Sequence, residues 1–316
     1  MKIVKFALAV CAAVLSIAAH AAWPERPIRL VIPTPAGGSA DVIGRTIGTE
    51  LAARLGQAIV IDNKPGAAGN IGSAMVAKAP ADGYTLLLHA VSLTVNPWLY
   101  KDPGYDVDKS FAPVAMLGVA PNILFVAPSV QASNLAQLVA LAKTEKLAFA
   151  SSGNGTTTHL GAEMFFREAG VDVMHVPYAP GTGLIAVAGG QVPIGSAAIP
   201  PVVQLAKARK VKPIAVTSTK RSGALPDVPT VAESGYPGFE ATTWFALFAP
   251  AGTPEPILDR LNQEVERALG TESVKRVYEQ QSIEAPVYSR AALGEFVKSE
   301  TAKWGGIVKK LGIKAD

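Results

Sequence analysis

The stretch PTPAGGSAD, residues 33–41, decides how the rest of this chain is interpreted. It follows the apolar run IRLVI, residues 28–32, which predicts a strand, and it leads into a helix predicted to begin near Ala40. Glycines let a backbone approach a bound group closely, and the first turn of a helix carries N–H groups without an internal partner. The arrangement is therefore typical of an anion site, although an ordinary strand-to-helix turn has the same composition.

The helix after this stretch is predicted at about 40–55, because apolar residues recur every four positions. Ser39 is its predicted N-cap, and Gly56 its predicted end. Asp41 falls in the first turn, where a carboxylate complements the helix dipole but repels an incoming anion. It therefore either orients the loop or holds a water molecule or a ligand hydroxyl.

A second glycine-rich stretch, SSGNGTTTH at residues 151–159, lies between a predicted strand and a predicted helix that begins at Thr157. Thr156 is placed to cap that helix, and the hydroxyls of Ser152, Thr156 and Thr157 are neutral donors suited to an oxyanion that must bind and leave. The same residues are also ordinary caps and turn formers. We expect the two stretches to face each other across a cleft, where His159 is a further candidate contact.

Residues 1–21 have the pattern of a secretory signal. Lys2 and Lys5 precede an apolar run at 6–19, and Ala19-His20-Ala21 is a small-x-small cleavage site. The run is too short for a helix that crosses a hydrocarbon core of about 30 Å. We expect cleavage after Ala21 and a periplasmic protein without disulfides, because the single cysteine lies in the signal.

Charge and motif content exclude several function classes. The formal net charge of +4 is mild and the basic residues are scattered, so nucleic acid is not an expected partner. The chain has no Gly-x-Ser-x-Gly or Ser-x-x-Lys motif, and neither glycine stretch fits a dinucleotide fingerprint. His89, His159 and His175 lack the spacing of metal ligands. We therefore expect no metal, no cofactor and no enzymatic activity.

Strand and helix signals alternate along the chain, which predicts an α/β architecture. Two long strand-like apolar segments, 114–127 and 243–249, are interpreted as crossings between domains. We therefore predict a discontinuous first domain at 22–117 and 245–316, and an inserted second domain at 118–244. Each is expected to be a mostly parallel sheet flanked by helices, and the two to be connected by a hinge.

In their order along the chain, the motifs resemble the Bug-type substrate-binding proteins, the extracytoplasmic receptors of tripartite tricarboxylate transporters. The resemblance covers nearly all of the mature chain. It rests on PERPIR (24–29), PTPAGGSAD (33–41), DNKPGAAGNIG (62–72), DGYTLL (82–87), FAPV (111–114), SGNGT (152–156), HL (159–160), HVPY (175–178), LPDVPTVAE (225–233) and WFALFAPAGTP (244–254).

This resemblance implies a two-domain periplasmic-binding-protein fold, type II-like, that closes on a small organic mono- or dicarboxylate, possibly an aromatic one. The implied partners are the membrane subunits of a tripartite tricarboxylate transporter, and we expect a monomer. The ligand would be held largely by backbone N–H groups and water. The candidate contacts in the two glycine stretches, with one on the loop after the strand at 84–89, are Thr34, Ala36, Gly37, Gly38, Ser39, Asp41, Ser92, Gly153, Asn154, Thr156, Thr157 and His159.

The chain departs from the family pattern at two places. Ala197 stands where members commonly carry an aspartate, and Ala179-Pro180 replaces the usual basic residue after Val-Pro-Tyr. Loss of an acidic group argues against an amino-acid ligand, whose ammonium group would need it. We therefore expect Ala179 and Ala197 to face a bulkier or less polar acid.

Two other functions remain open from the sequence. One is an exported hydrolase that uses Ser152 and His159. The other is an orphan sensor that presents its ligand to a signalling partner.

Overall fold

The computed structural model describes residues 23–313, so the predicted signal at 1–21 lies outside the described residues. The strands are β1 (Ile28–Ile32), β2 (Ile59–Asn63), β3 (Thr85–Ala90), β4 (Phe111–Val126), β5 (Leu147–Ser151), β6 (Val173–Pro177), β7 (Ile194–Ala198), β8 (Lys212–Val216) and β9 (Thr242–Pro250). The α-helices are α1 (Ser39–Leu55), α2 (Asn70–Ala77), α3 (Ser92–Leu99), α4 (Val107–Ser110), α5 (Leu135–Thr144), α6 (Thr157–Glu168), α7 (Thr182–Ala188), α8 (Ile199–Lys207), α9 (Glu255–Leu269), α10 (Glu272–Gln280) and α11 (Arg290–Leu311).

The strands form one mixed sheet in the order β2-β1-β3-β9-β4-β7-β5-β6, and β8 also pairs with β4. Pairing is parallel within β1, β2 and β3, and again within β5, β6 and β7. The predicted apolar crossings are observed as β4 and β9, which pair antiparallel from Phe111 opposite Pro250 to Pro121 opposite Thr242. Their nearly continuous apolar sequences fit strands covered on both faces.

The loops that follow the parallel strands converge on one gap. Strand β3 ends at Ala90, which is beside Phe245 of β9, and Phe245 is opposite Gly118 of β4. Strand β7 runs the other way and ends at Ala198, opposite Asn122 of β4. Four residues of β4 therefore separate the two sets of carboxyl ends, a span of about 13 Å. Carboxyl ends of parallel strands are the usual place for ligands in α/β sheets.

The buried apolar residues form two clusters. One joins β1 and β3 to α1, α9 and α10. The other covers the second set of strands but also takes in Val31, Leu87 and Trp304 from segments assigned to the first domain. Packing is thus continuous across the predicted domain boundary, and the division at 117/118 and 244/245 stays a prediction.

A buried carboxylate fixes the long C-terminal helix α11 against β9. Glu300 accepts hydrogen bonds from the indole N–H of Trp304 at 2.8 Å and of Trp244 at 3.0 Å, and Lys303 lies 3.1 Å from its other oxygen. Both indoles are buried, so this carboxylate is compensated by donors rather than by water. Within residues 23–313, no helix is long and apolar enough to cross a membrane.

Candidate functional site

The loop after β1, residues 33–38 and here called the first loop, leads into an uncapped helix. The prediction that Ser39 is the N-cap is wrong: Gly38 occupies the cap position in an extended conformation, and Ser39 is the first helical residue. No side chain caps α1, and within the described residues no acceptor lies on the N–H groups of Ser39 and Ala40. The positive end of a 17-residue helix therefore faces the gap.

Asp41 fixes the shape of the first loop. The residue is 4% exposed, and its Oδ2 accepts from the Gly37 N–H at 2.9 Å and from Arg45 Nε at 3.0 Å. Burial opposes ionisation of Asp41, but the hydrogen bonds from Arg45 and Gly37 outweigh it and lower the pKa. Gly37 has a φ of +87°, a conformation that favours glycine. The loop-orienting role is thus observed, and the Gly37 N–H is not free for a ligand.

Thr34 and the exposed Ala36 and Gly37 complete the first loop. The Asn63 side chain donates to the Thr34 carbonyl at 3.1 Å and accepts from Arg45 at 3.3 Å, so the start of the loop is also tied down. Within the part of the chain that the structure describes, the buried Thr34 hydroxyl has no hydrogen-bond partner. It is a buried hydroxyl at the start of the first loop, without an acceptor among residues 23–313.

The loop after β5, residues 152–156, is here called the second loop. It differs from the first because the side chains of neighbouring residues accept hydrogen bonds from most of its N–H groups. The N–H of Thr156 donates to the Gly153 carbonyl at 3.4 Å. Three others donate to side chains, namely Ser152 to Thr158 Oγ1 at 3.0 Å, Gly153 to Ser151 Oγ at 3.1 Å and Gly155 to His159 Nδ1 at 3.1 Å. The implied backbone contacts at Gly153 and Thr156 are therefore not available in this arrangement. The backbone N–H of the exposed Asn154, in contrast, has no acceptor among residues 23–313.

Two predicted donors of this loop are used internally. Thr156 caps α6 as predicted: its Oγ1 accepts from the His159 N–H at 3.3 Å and donates to the Gly153 carbonyl at 2.8 Å. Thr157 is buried, and its hydroxyl is hydrogen-bonded to that of Thr243 on β9. The sequence offered no signal for the Thr243 contact, because the two residues are 86 positions apart.

His159 and His175 lie together beneath the second loop. Their rings stack at a centroid distance of 3.7 Å and an angle of 14°, and His175 Nε2 lies 2.7 Å from Ser151 Oγ. Burial and the neighbouring His175 lower the pKa of His159 to about 3, and burial lowers that of His175 to about 4. Among the described residues, no hydrogen bond joins Ser152 to His159, so the hydrolase dyad is not formed.

The remaining predicted contacts lie at the ends of neighbouring strands. Ser92 was expected on a loop, but it is the first residue of helix α3. Ala179 is exposed after β6, and Ala197 is half-buried near the end of β7. The Cβ of an alanine at 155 would lie 2.6 Å from the Leu99 side chain, so the second loop packs tightly on α3.

Helix α3 was not predicted because Pro97 interrupts the helical pattern. A proline cannot donate to the carbonyl four residues earlier. The Tyr105 hydroxyl replaces that bond by donating to the Leu93 carbonyl at 3.3 Å.

No lysine or arginine occurs in the loops that follow β1, β3, β5 and β6. Among residues 23–313, no group of three or more histidine, cysteine, aspartate or glutamate side chains is arranged to hold a metal ion. An anion here would meet N–H groups, hydroxyls and the end of α1.

Comparison with known proteins agrees with this architecture. Residues 43–313 match the family described as tripartite tricarboxylate transporter family receptor. The periplasmic binding protein BugD superposes with a TM-score of 0.83 at 33% identity, over 93% of this chain and 100% of that one. An R. palustris protein solved with adipate superposes with a TM-score of 0.85 at 35% identity, over 92% of this chain and 99% of that one. MatC from Rhodopseudomonas palustris, with bound malate, superposes with a TM-score of 0.80 at 33% identity, over 90% of this chain and 100% of that one. The periplasmic-binding-protein fold predicted from the sequence is confirmed.

Proposed function

This chain belongs to the tripartite tricarboxylate transporter receptor family, and we propose that it binds a small organic carboxylate and delivers it to the membrane subunits of such a transporter. The observation that carries the proposal is the uncapped N-terminus of α1 at the gap where the carboxyl ends of both sets of strands converge. Relatives solved with adipate and with malate support a carboxylate as the ligand.

The N-terminus of α1 and the first loop before it supply the anion contacts. The N–H groups of Ser39 and Ala40 and the Thr34 hydroxyl have no protein acceptor in the described residues, and the helix end adds about half a positive charge. Hydrogen bonds to a charged group contribute about 1.5–3 kcal/mol each, so three of them contribute about 4.5–9 kcal/mol, and only the upper end of that range corresponds to micromolar binding. The absence of a charged side-chain partner in these loops leaves the ligand free to dissociate.

The protein acts outside the cytoplasm and leaves its ligand unchanged. The signal pattern at residues 1–21 and the periplasmic relative BugD support this location. Ligand-dependent association with the membrane subunits, measured in detergent, would separate delivery from the alternative role as an orphan sensor.

A proline at position 39 tests the anion site directly. Ser39 is the first residue of α1 and Gly38 before it is extended, so proline fits the backbone there and removes one N–H group. We expect Ser39→Pro to weaken carboxylate binding at least about tenfold, with little change in the melting temperature of the free protein. Ser39→Ala is the matched control, since it removes the hydroxyl and keeps the N–H.

The assay is calorimetry and thermal melting of the mature chain with adipate, malate and hexanoate, followed by mass spectrometry of the recovered ligand. A saturable rise in melting temperature with unchanged ligand indicates a binding protein. Equal affinity of Ser39→Pro and wild type would contradict the assignment of the anion to the end of α1.

A further inference from the structure

We propose that Ser151, His159 and His175 are positioning residues for the ligand, because they hold the backbone of the second loop in its binding shape before the ligand arrives. The ligand part of this inference rests on the proposed function. The network itself is independent of it.

The network fixes two glycine peptides. Ser151 Oγ accepts from the Gly153 N–H at 3.1 Å, and His159 Nδ1 accepts from the Gly155 N–H at 3.1 Å. Gly153 has a φ of +117° and Gly155 a φ of +72°, so neither residue has the backbone conformation of a regular strand or helix. Without these two acceptors the loop would have several backbone conformations, and binding would have to order it.

The acceptors are themselves held in place. Ser151 is 3% exposed and His159 is 4% exposed. The His159 ring stacks on that of His175, which in turn lies 4.9 Å from the buried ring of Phe149. The Ser151 hydroxyl, 2.7 Å from His175 Nε2, completes the connection between the two halves of the network.

One hydrogen bond specifies the proton position of His159. Its Nδ1 accepts, so its proton is on Nε2 and the ring is neutral in this arrangement. Ser151 Oγ accepts from the Gly153 N–H, and either partner can donate in its hydrogen bond with His175 Nε2, because the Ser151 hydroxyl also lies 3.4 Å from the Gly153 carbonyl oxygen. A proton added to His159 Nδ1 would point at the Gly155 N–H and break the bond that shapes the loop.

The first loop uses the same local device with a different charge. There the N–H of Gly37 donates to Asp41, four residues on, and here the N–H of Gly155 donates to His159, also four residues on. Asp41 is compensated by Arg45, whereas no arginine or lysine occurs in residues 151–159. A neutral imidazole therefore orders the second loop without placing a carboxylate charge near a bound anion.

Two variants of His159 separate positioning from simple packing. His159→Asn keeps an acceptor near the position of Nδ1, and His159→Phe keeps a stacked ring without an acceptor. In wild type we expect a slowly exchanging Gly155 amide and a ¹⁵N shift of His159 Nδ1 typical of an unprotonated acceptor. We expect the asparagine variant to retain the protection and bind within about threefold of wild type. The phenylalanine variant should lose the protection and bind at least about tenfold more weakly.

A variant at a second position, Ser151, keeps the proposal testable if the changes at His159 disturb folding. Ser151→Ala is a small change that should expose the Gly153 amide to exchange and also weaken binding. The proposal is overturned if His159→Phe keeps Gly155 protected or binds as tightly as His159→Asn, or if Ser151→Ala leaves Gly153 protected. If the wild type binds none of adipate, malate and hexanoate, the proposed function fails, and amide protection alone decides whether the network holds the loop.

Discussion

Acidification from pH 7 to pH 5 should destabilise the folded chain through His89, His159 and His175. Burial lowers the pKa of His89 to about 3, and burial and the stacked neighbour do the same for His159. Burial lowers that of His175 to about 4. In the unfolded chain histidine titrates near 6.5. Between these values the unfolded state binds protons that the folded state does not, so the free energy of unfolding falls as the pH falls.

The expected size follows from proton linkage. Each buried histidine should lower the free energy of unfolding by about 2 kcal/mol between pH 7 and pH 5, and somewhat less for the half-buried His175. The three together should remove about 4–6 kcal/mol, a large share of the stability of a typical domain. Burial opposes ionisation of Asp62, but the hydrogen bonds from Arg29 and Lys64 outweigh it and lower the pKa, so the stability that Asp62 contributes is lost only at more acid pH.

His159→Asn should reduce this acid loss by about 2 kcal/mol, because one titrating group is gone. The assay is urea unfolding at pH 5, 6 and 7, followed by tryptophan fluorescence. Only the change with pH is compared, so a lower baseline stability of the variant does not matter. Val287→Ala, at an 81% exposed position, is the control and should keep the wild-type pH dependence. The same pH dependence for wild type and His159→Asn would refute the claim that His159 is neutral in the fold.

Three further predictions follow from single contacts. Asp41→Ala should cost about 1–3 kcal/mol in urea unfolding, because the Gly37 N–H and Arg45 lose their acceptor. Gly155→Ala should lower the melting temperature more than Gly190→Ala; the two share a similar positive φ, but only the first meets a neighbour, at 2.6 Å, so equal effects would disprove the contact. In calorimetry, the Kd of hexanoate should lie within about tenfold of that of adipate. The loops that follow β1, β3, β5 and β6 contain no lysine or arginine that could pair with a second carboxylate.

The elements that sequence predicted well are those specified by local patterns. The four-residue apolar repeat predicts a helix at 40–55, and α1 spans Ser39–Leu55 with Gly56 as its C-cap. The apolar runs at 114–127 and 243–249 are β4 and β9 within a few residues. In each case the signal is periodicity or an unbroken apolar run, which does not depend on distant residues.

The features that sequence did not predict depend on contacts made only in the folded chain. Ser39 has the side chain of a cap, yet Gly38 takes that position because the first loop is held by Asp41. The stacking of His159 on His175 requires β5 and β6 to pair in the observed register, with Phe149 beside His175. A glycine-rich sequence shows that the backbone can approach a ligand, but not whether its N–H groups are already occupied.

The difference between the two loops indicates where ligand choice arises. On the proposed function, the free N–H groups of Ser39 and Ala40 in α1 would recognise a carboxylate as such, since hydrogen bonds to an oxyanion do not depend on the rest of the molecule. Most N–H groups of the second loop donate to nearby side chains and fix the shape of the loop. The loop therefore offers a fixed surface rather than a second anion site. Discrimination among carboxylates should then depend on size and polarity at the ends of β6 and β7. There Ala179 and Ala197 carry no charge, which favours an acid whose far end is uncharged.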